Sequence, residues 1–332
     1  MIASLFRDTD SCTTMYLPFA NSLRVLIYDS GSYLVSANAF GEKGVRKQME
    51  DEHLVCFSLR TVMPSLPPER DFSLFAIFDG HGGRQCAAFS KEHIAHEIAS
   101  QLIALPEDVM FPFSDRIMKD VITASFSKID SRIATEIPSC KDGCTVLVVL
   151  VKELLVYIAS LGDSAAFLCR KVDETLQPIP LAELHKPWVL KEKERIIKCG
   201  GTIENGRVNG ILEVTRSFGD ISLKRYGVLC NPTFRKFEID VNKDKFILLG
   251  CDGFWNCWTA QEVVSKALDI CTRVRMEVLT ENRRAGMDIG KPNFDAKSVC
   301  KQLVEHVIVD KKSQVQNFEV IMISKSYSQP VV

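Results

Sequence analysis

Apolar positions along the chain change period from one stretch to the next, and the changes mark out the elements. Residues 72–78 are a nearly continuous apolar run that reads as a strand. Over 84–104 the spacing turns helical, with Ala87, Ala88, Ile94, Ala95, Ile98 and Leu102 on one face. Residues 114–134 repeat that pattern through Ile117, Val121, Ala124, Ile129 and Ile133. Two further runs, 144–151 and 154–161, are split by Lys152-Glu153 and predict a hairpin; Ala165 to Arg170 adds a third strand. Residues 189–198 read as a short helix ended by Gly200-Gly201, and Phe246 to Gly250 as a buried strand. The polar stretch 272–293, with Gly286, Gly290 and Pro292, reads as an inserted loop. A helix over 294–309 and a strand over 318–323 close the pattern. Strand pairs followed by helix pairs predict an α+β fold, with helices on the outer faces of a two-sheet sandwich.

Composition narrows the class without adding chemistry. A chain of 332 residues with 46% apolar and 25% charged residues has material for a sizeable core. The net charge of −1 gives no nucleic-acid or anionic-membrane footprint. The longest aliphatic run, Val146 to Val151, is too short to span a bilayer. Arg7, Asp8 and Asp10 stand where a signal peptide would be apolar, and residue 2 is not glycine. The 12 cysteines are scattered and often sit within apolar runs, which reads as core or reduced thiols in the cytosol or nucleus. A monomer is the expected state.

The chemistry lies in five short acidic segments, all at or beside turns. They are Met49-Glu50-Asp51, Asp79-Gly80-His81-Gly82-Gly83, Gly162-Asp163-Ser164, Phe218-Gly219-Asp220 and Cys251-Asp252-Gly253. Three of them follow strand-like runs. A strand ending in Asp-Gly sets a carboxylate at the rim of a sheet, where glycine lets the backbone turn and approach a ligand. Several rims converging would crowd like charges that repel unless cations neutralise them. Oxygen-only donors suit Mg²⁺ or Mn²⁺ rather than zinc. Each residue also has a blander role open to it. Asp79 and Asp252 could be turn formers, His81 a helix cap, and Arg46 a surface partner of Glu50. Asp220 and Arg216 could brace a loop. His93 and His96, one helical turn apart, have no carboxylate or cysteine at metal-site spacing and read as a solvated face.

The order of these motifs closely resembles the metal-dependent (type 2C) protein serine/threonine phosphatases. The likeness runs from about Tyr33 to Ser324. It rests on Gly44-Val-Arg46-Lys-Gln-Met-Glu50-Asp51, Phe78-Asp79-Gly-His81-Gly-Gly83, Gly162-Asp163-Ser164 and His185-Lys186-Pro187. It continues through Glu192-Lys-Glu-Arg-Ile196, Arg207-Val-Asn-Gly210, Arg216-Ser-Phe-Gly-Asp220 and Asp252-Gly253. The resemblance implies a four-layer αββα sandwich over residues 33–325, an N-terminal extension over 1–32 and a tail over 326–332. It implies two Mn²⁺ or Mg²⁺ ions, with Asp79 bridging them, the Gly80 carbonyl on one and Asp252 on the other. Glu50 and Asp51 would act mainly through water, and Asp163 would hold a weaker third ion. Arg46 resembles the phosphate-binding arginine and His81 the general acid, with phosphoproteins as substrates.

Three positions depart from the family pattern. Gln316 stands where the family has an aspartate that binds the first metal directly; its amide oxygen can coordinate a cation but brings no charge. Asn256 and Cys144 are milder changes. Gln316 leaves three readings open: an active phosphatase with weakened metal binding, a catalytically silent phosphatase fold that binds a partner, or another metal-dependent phosphohydrolase.

Overall fold

A computed structural model describes residues 14–15, 23–28, 31–44, 46–284, 296–310 and 318–328. In chain order the first half gives β1 (Thr14–Met15), β2 (Leu23–Tyr28), β3 (Gly31–Glu42), β4 (Glu52–Cys56) and β5 (Ser73–His81). There follow α1 (Gln85–Ile103), α2 (Asp115–Glu136), β6 (Gly143–Lys152), β7 (Leu155–Leu161), β8 (Ala165–Val172) and β9 (Thr175–Pro180). The second half adds α3 (Leu190–Lys198), β10 (Ile203–Glu204), β11 (Arg207–Val208), β12 (Phe218–Gly219), α4 (Ile221–Lys224) and β13 (Thr233–Glu238). It ends with β14 (Asp244–Gly250), α5 (Asp252–Trp255), α6 (Ala260–Arg284), α7 (Ala296–Asp310) and β15 (Phe318–Ser328).

Two antiparallel sheets face each other. One runs β1-β2-β3-β15-β14-β8-β9; the other runs β13-β7-β6-β5-β4, with β12 paired to β6 beside that path. Helices α1 and α2 lie on the second sheet, and α6 and α7 on the first, which is the expected αββα order. The near-continuous apolar runs of β5 and β6 follow from this layering. Phe75, Ile77, Leu147 and Val149 enter the cluster shared with the opposite sheet, whereas Leu74, Ala76, Phe78, Val146, Val148 and Leu150 pack with α1 and α2. A strand buried on both faces has no polar alternation left to show.

Helix α2 starts where Ser114 accepts a hydrogen bond from the Ile117 N–H, an N-cap the sequence carries locally. At the start of α1 the acceptor comes from across the fold: Asp142 Oδ2 takes the Gln85 N–H at 2.7 Å. Two expectations need correction. Residues 272–284 are the second half of α6 rather than loop, because Val263, Ala267 and Ile270 ahead of them and Val274 among them keep a buried face at helical spacing. Residues 285–293, the rest of that stretch, lie outside the described residues. Within the stretch taken as an N-terminal extension, β2 hydrogen-bonds to β3 along its whole length and so belongs to the sheet. Among the described residues no disulfide joins the cysteines, and no helix is long and apolar enough to cross a membrane.

Candidate active site

Strand β5 runs antiparallel to β6 up to the pairs Asp79–Thr145, Gly80–Cys144 and His81–Gly143, so the three residues leave the sheet together. Residues 46–51 pass close over that end. A methyl group on Gly80 would strike the backbone carbonyl of Glu50, so the contact requires glycine. Asp163 follows Gly162, whose φ of +105° turns the chain out of β7, and Asp252 follows β14. These ends border one cleft of about 390 Å³. Glu50, Asp51, Asp79, Gly80, Asp163 and Asp252 line it, and so do His81 and Arg46, the latter exposed at its mouth. The eight described positions singled out from sequence are therefore brought together. Gln316, the ninth, lies outside the described residues.

The electrostatics show what the cleft has to solve. Burial, then the charges of Asp51, Asp252 and Asp163, push the Asp79 carboxyl well above the usual carboxylate range. Asp79 Oδ2 accepts the Asp252 backbone N–H at 3.4 Å, which offsets only part of that. Asp252 is also raised, first by burial and then by Asp163, against the opposing charge of Lys186. Lys186 pairs with Asp163, and its ammonium also lies 5.5 Å from the centre of the exposed Trp188 ring. Among the described residues no three His, Cys, Asp or Glu side chains already form a metal-holding group. The donors nonetheless fit a hard divalent cation: they are all oxygens, and their mutual repulsion is what such a charge relieves.

The site also holds Asp220, open in the sequence to a loop-bracing role, and residues the sequence does not point to. His81 Nε2 donates to Asp220 Oδ2 at 2.7 Å. Burial alone would lower the imidazole pKa, but the Asp220 bond and charge, with Asp163 and Asp142, outweigh it and raise the value. Lys141 before β6, Arg207 of β11 and Glu213 after it line the same cleft. Arg216, by contrast, braces: it donates to Glu192 at 2.6 Å and to the Asn231 carbonyl at 2.9 Å. His93 stacks on Phe89 and donates to that residue's carbonyl, away from any ligand role.

Comparison with known proteins places the chain in a family. The family described as protein phosphatase 2C matches residues 36–309. The chain is 32% identical over 280 residues to the integrin-linked kinase-associated serine/threonine phosphatase 2C of Bos taurus, covering 80% of this chain and 70% of that one. It is 33% identical over 246 residues to a probable protein phosphatase 2C of Arabidopsis thaliana, covering 70% and 68%. A serine-threonine phosphatase 2C structure from Toxoplasma gondii superposes with a TM-score of 0.65 at 20% identity, over 95% of this chain and 100% of that chain. A C. elegans sex-determining protein gives 0.69 at 21% identity, over 87% of this chain, which spans only 64% of the worm chain. At those identities the structural likeness is one of fold, and the family rests on the sequence matches. The chain belongs to the protein phosphatase 2C family.

Proposed function

We propose that the protein hydrolyses phosphoserine and phosphothreonine esters on protein substrates, with Mn²⁺ or Mg²⁺, in the cleft at the end of β5. The observation that carries this is the meeting of acidic segments from four separate parts of the chain at one half-buried, charge-frustrated Asp79. Asp79, Asp252 and the Gly80 carbonyl would hold two ions, Glu50 and Asp51 would reach them through water, and Asp163 would hold a weaker third. Bound there, such ions supply a nucleophilic water near neutral pH and offset charge on the phosphoryl oxygens. The chain's own residues do the rest. Arg46, exposed at the mouth, presents a guanidinium fork to the phosphate oxygens. His81 gives a proton to the serine or threonine oxygen as it leaves, a contribution typically worth about 10²–10⁴ in rate.

The test is hydrolysis of a phosphothreonine peptide with millimolar Mn²⁺, with EDTA, and in Asp79→Ala. Activity should require the metal, and the variant should lose more than the roughly 10–100-fold of an outer-sphere change. Metal-independent turnover would overturn the reading. Gln316 is the sequence feature that favours a second reading, a fold that binds phosphoproteins without turning them over. Gln316→Asp should tighten Mn²⁺ binding and raise activity several-fold. A wild type that is silent but revived by this change would establish the binding module. Equal calorimetric Mn²⁺ affinity in both proteins would remove residue 316 from the ligand set.

A further inference from the structure

Asp220 is placed at a conformational cost and held from several sides. Its φ and ψ are 47° and 40°, the left-handed region that a non-glycine residue avoids, and Gly219 before it has φ +71°. The turn is stapled to two elements. Gly219 N–H donates to Asp130 of α2 at 2.9 Å, and the Asp220 N–H donates to the Asp142 carbonyl just before β6 at 3.2 Å. Lys224 bonds both Asp130 and the Ser217 carbonyl. The result is a carboxylate that is 9% exposed, with Oδ2 accepting from Ser217 Oγ at 2.6 Å and from His81 Nε2 at 2.7 Å. Beneath this pair lies Gly143; a methyl there would collide with both Asp220 Oδ2 and His81 Nε2. Strain, staples and a bare glycine all serve one contact.

We infer that Asp220 is the positioning residue of His81: it fixes the imidazole through Nε2–H and leaves Nδ1 as the nitrogen that serves the substrate. A buried carboxylate fixing the far nitrogen of an acid–base histidine is a general device, because it sets ring orientation and stabilises the protonated ring. Ser217 does the same for Asp220 one step further out, fixing the carboxylate that fixes the ring. This inference rests on His81 being the proton donor proposed above.

The test combines kinetics with a signal that needs no turnover. Asp220→Ala should lower kcat on a phosphothreonine peptide by about 10–100-fold, below the loss expected for the acid itself. An aryl phosphate, whose leaving group needs little protonation, should be affected far less. The double variant His81→Ala/Asp220→Ala should be no slower than His81→Ala alone, because the second residue acts only through the first. Ser217→Ala, a gentler change, should lower kcat on the phosphothreonine peptide by a few-fold and on the aryl phosphate less, and serves if Asp220→Ala folds poorly. Calorimetric Mn²⁺ affinity should stay as in wild type. In the Mg²⁺ form, a downfield ring N–H proton, assigned by its loss in His81→Gln, should be sharp in wild type and absent or exchange-broadened in Asp220→Ala. Equal losses on both substrates, losses that multiply in the double variant, or an unchanged ring proton would each overturn the inference. A wild type that turns over neither substrate would sink the proposed reaction, and the ring proton would still decide whether Asp220 holds His81.

Discussion

At the scale of single residues the centre of the problem is Asp79. Its carboxylate lies among Asp51, Asp252 and Asp163, so in metal-free protein its charge works against the fold. Asn keeps an oxygen for the Asp252 N–H and removes the charge. Asp79→Asn should therefore raise the melting temperature in EDTA, by about 1–2 °C for each kcal/mol of repulsion relieved. Mn²⁺ should stabilise the wild type by mass action and the variant hardly at all. A variant that melts lower in EDTA, or that gains as much from Mn²⁺ as wild type, would show that Asp79 is not the focus of the cluster. The sequence displays Asp79, Asp163 and Asp252 because turn chemistry is local: an acid beside a glycine after an apolar run is visible within five residues. The contact between His81 and Asp220 spans 139 positions, and no spacing rule reports it.

At the scale of elements the same division holds. Strands β5, β6, β7, β8 and β14 and helices α1 and α2 were legible because their apolar runs end at Gly, Asp or Lys-Glu breaks. The second half of α6 was not. Its exposed positions include Arg273, Glu277 and Thr280, and Gly286, Gly290 and Pro292 drew the loop boundary back into a helix that continues to Arg284. Also hidden was the anchor of the other end of α1. Arg70, only 5% exposed, donates from Nη1 to the carbonyls of Leu102, Ile103 and Leu105 and from Nη2 to those of Pro106 and Val109. These include carbonyls that the end of a helix leaves without partners. Arg70→Ala would strand them beneath the chain, at a cost of about 2–4 kcal/mol, from the 1–3 kcal/mol typical of a buried polar group left unsatisfied and from the stronger bonds a charged donor makes. Urea titration of wild type, Arg70→Ala and Arg70→Lys should rank them in falling stability as wild type, Lys, Ala. A loss below about 0.5 kcal/mol for Ala, the scale of an ordinary surface change, would mean that water replaces the guanidinium without penalty.

For the whole molecule the response to acid follows from a buried network between the cleft and the 205–230 segment. His185, 2% exposed, accepts the Gly162 N–H at Nδ1 at 3.0 Å, and among the described residues its Nε2 has no hydrogen-bond partner. Burial, then the nearby charges of Arg216 and Arg195, lower its pKa to about 4 despite the attraction of Glu192. Glu192 itself is pushed up by burial, but its bonds to Arg216, Arg195 and Thr215 outweigh that and hold it well below the usual carboxylate range. The signs agree. Unfolded, His185 would take a proton near pH 6.5; folded, it resists until about pH 4, so the unfolded state binds more protons across that window. Stability is then full above pH 6.5 and falls as the pH drops toward 4, by about 3 kcal/mol from this residue alone. Glu192 adds a loss of the same sign below the ordinary carboxylate range. Chelator must be present throughout, since protonation of the cleft carboxylates would otherwise release bound metal and add its own acid sensitivity. His185→Asn places an amide oxygen where Nδ1 accepts from Gly162 and has no proton to gain. Asp79 and Asp252, whose raised carboxyls favour the fold as they protonate, slope the opposite way but equally in both proteins; between pH 7.5 and 4.5 the denaturant midpoint of wild type should therefore lose ground steadily to the variant, the two curves approaching each other in acid. Parallel curves across that range would mean that His185 titrates alike in the folded and unfolded chain, and the acid response would then have to come from Glu192 and its arginines alone.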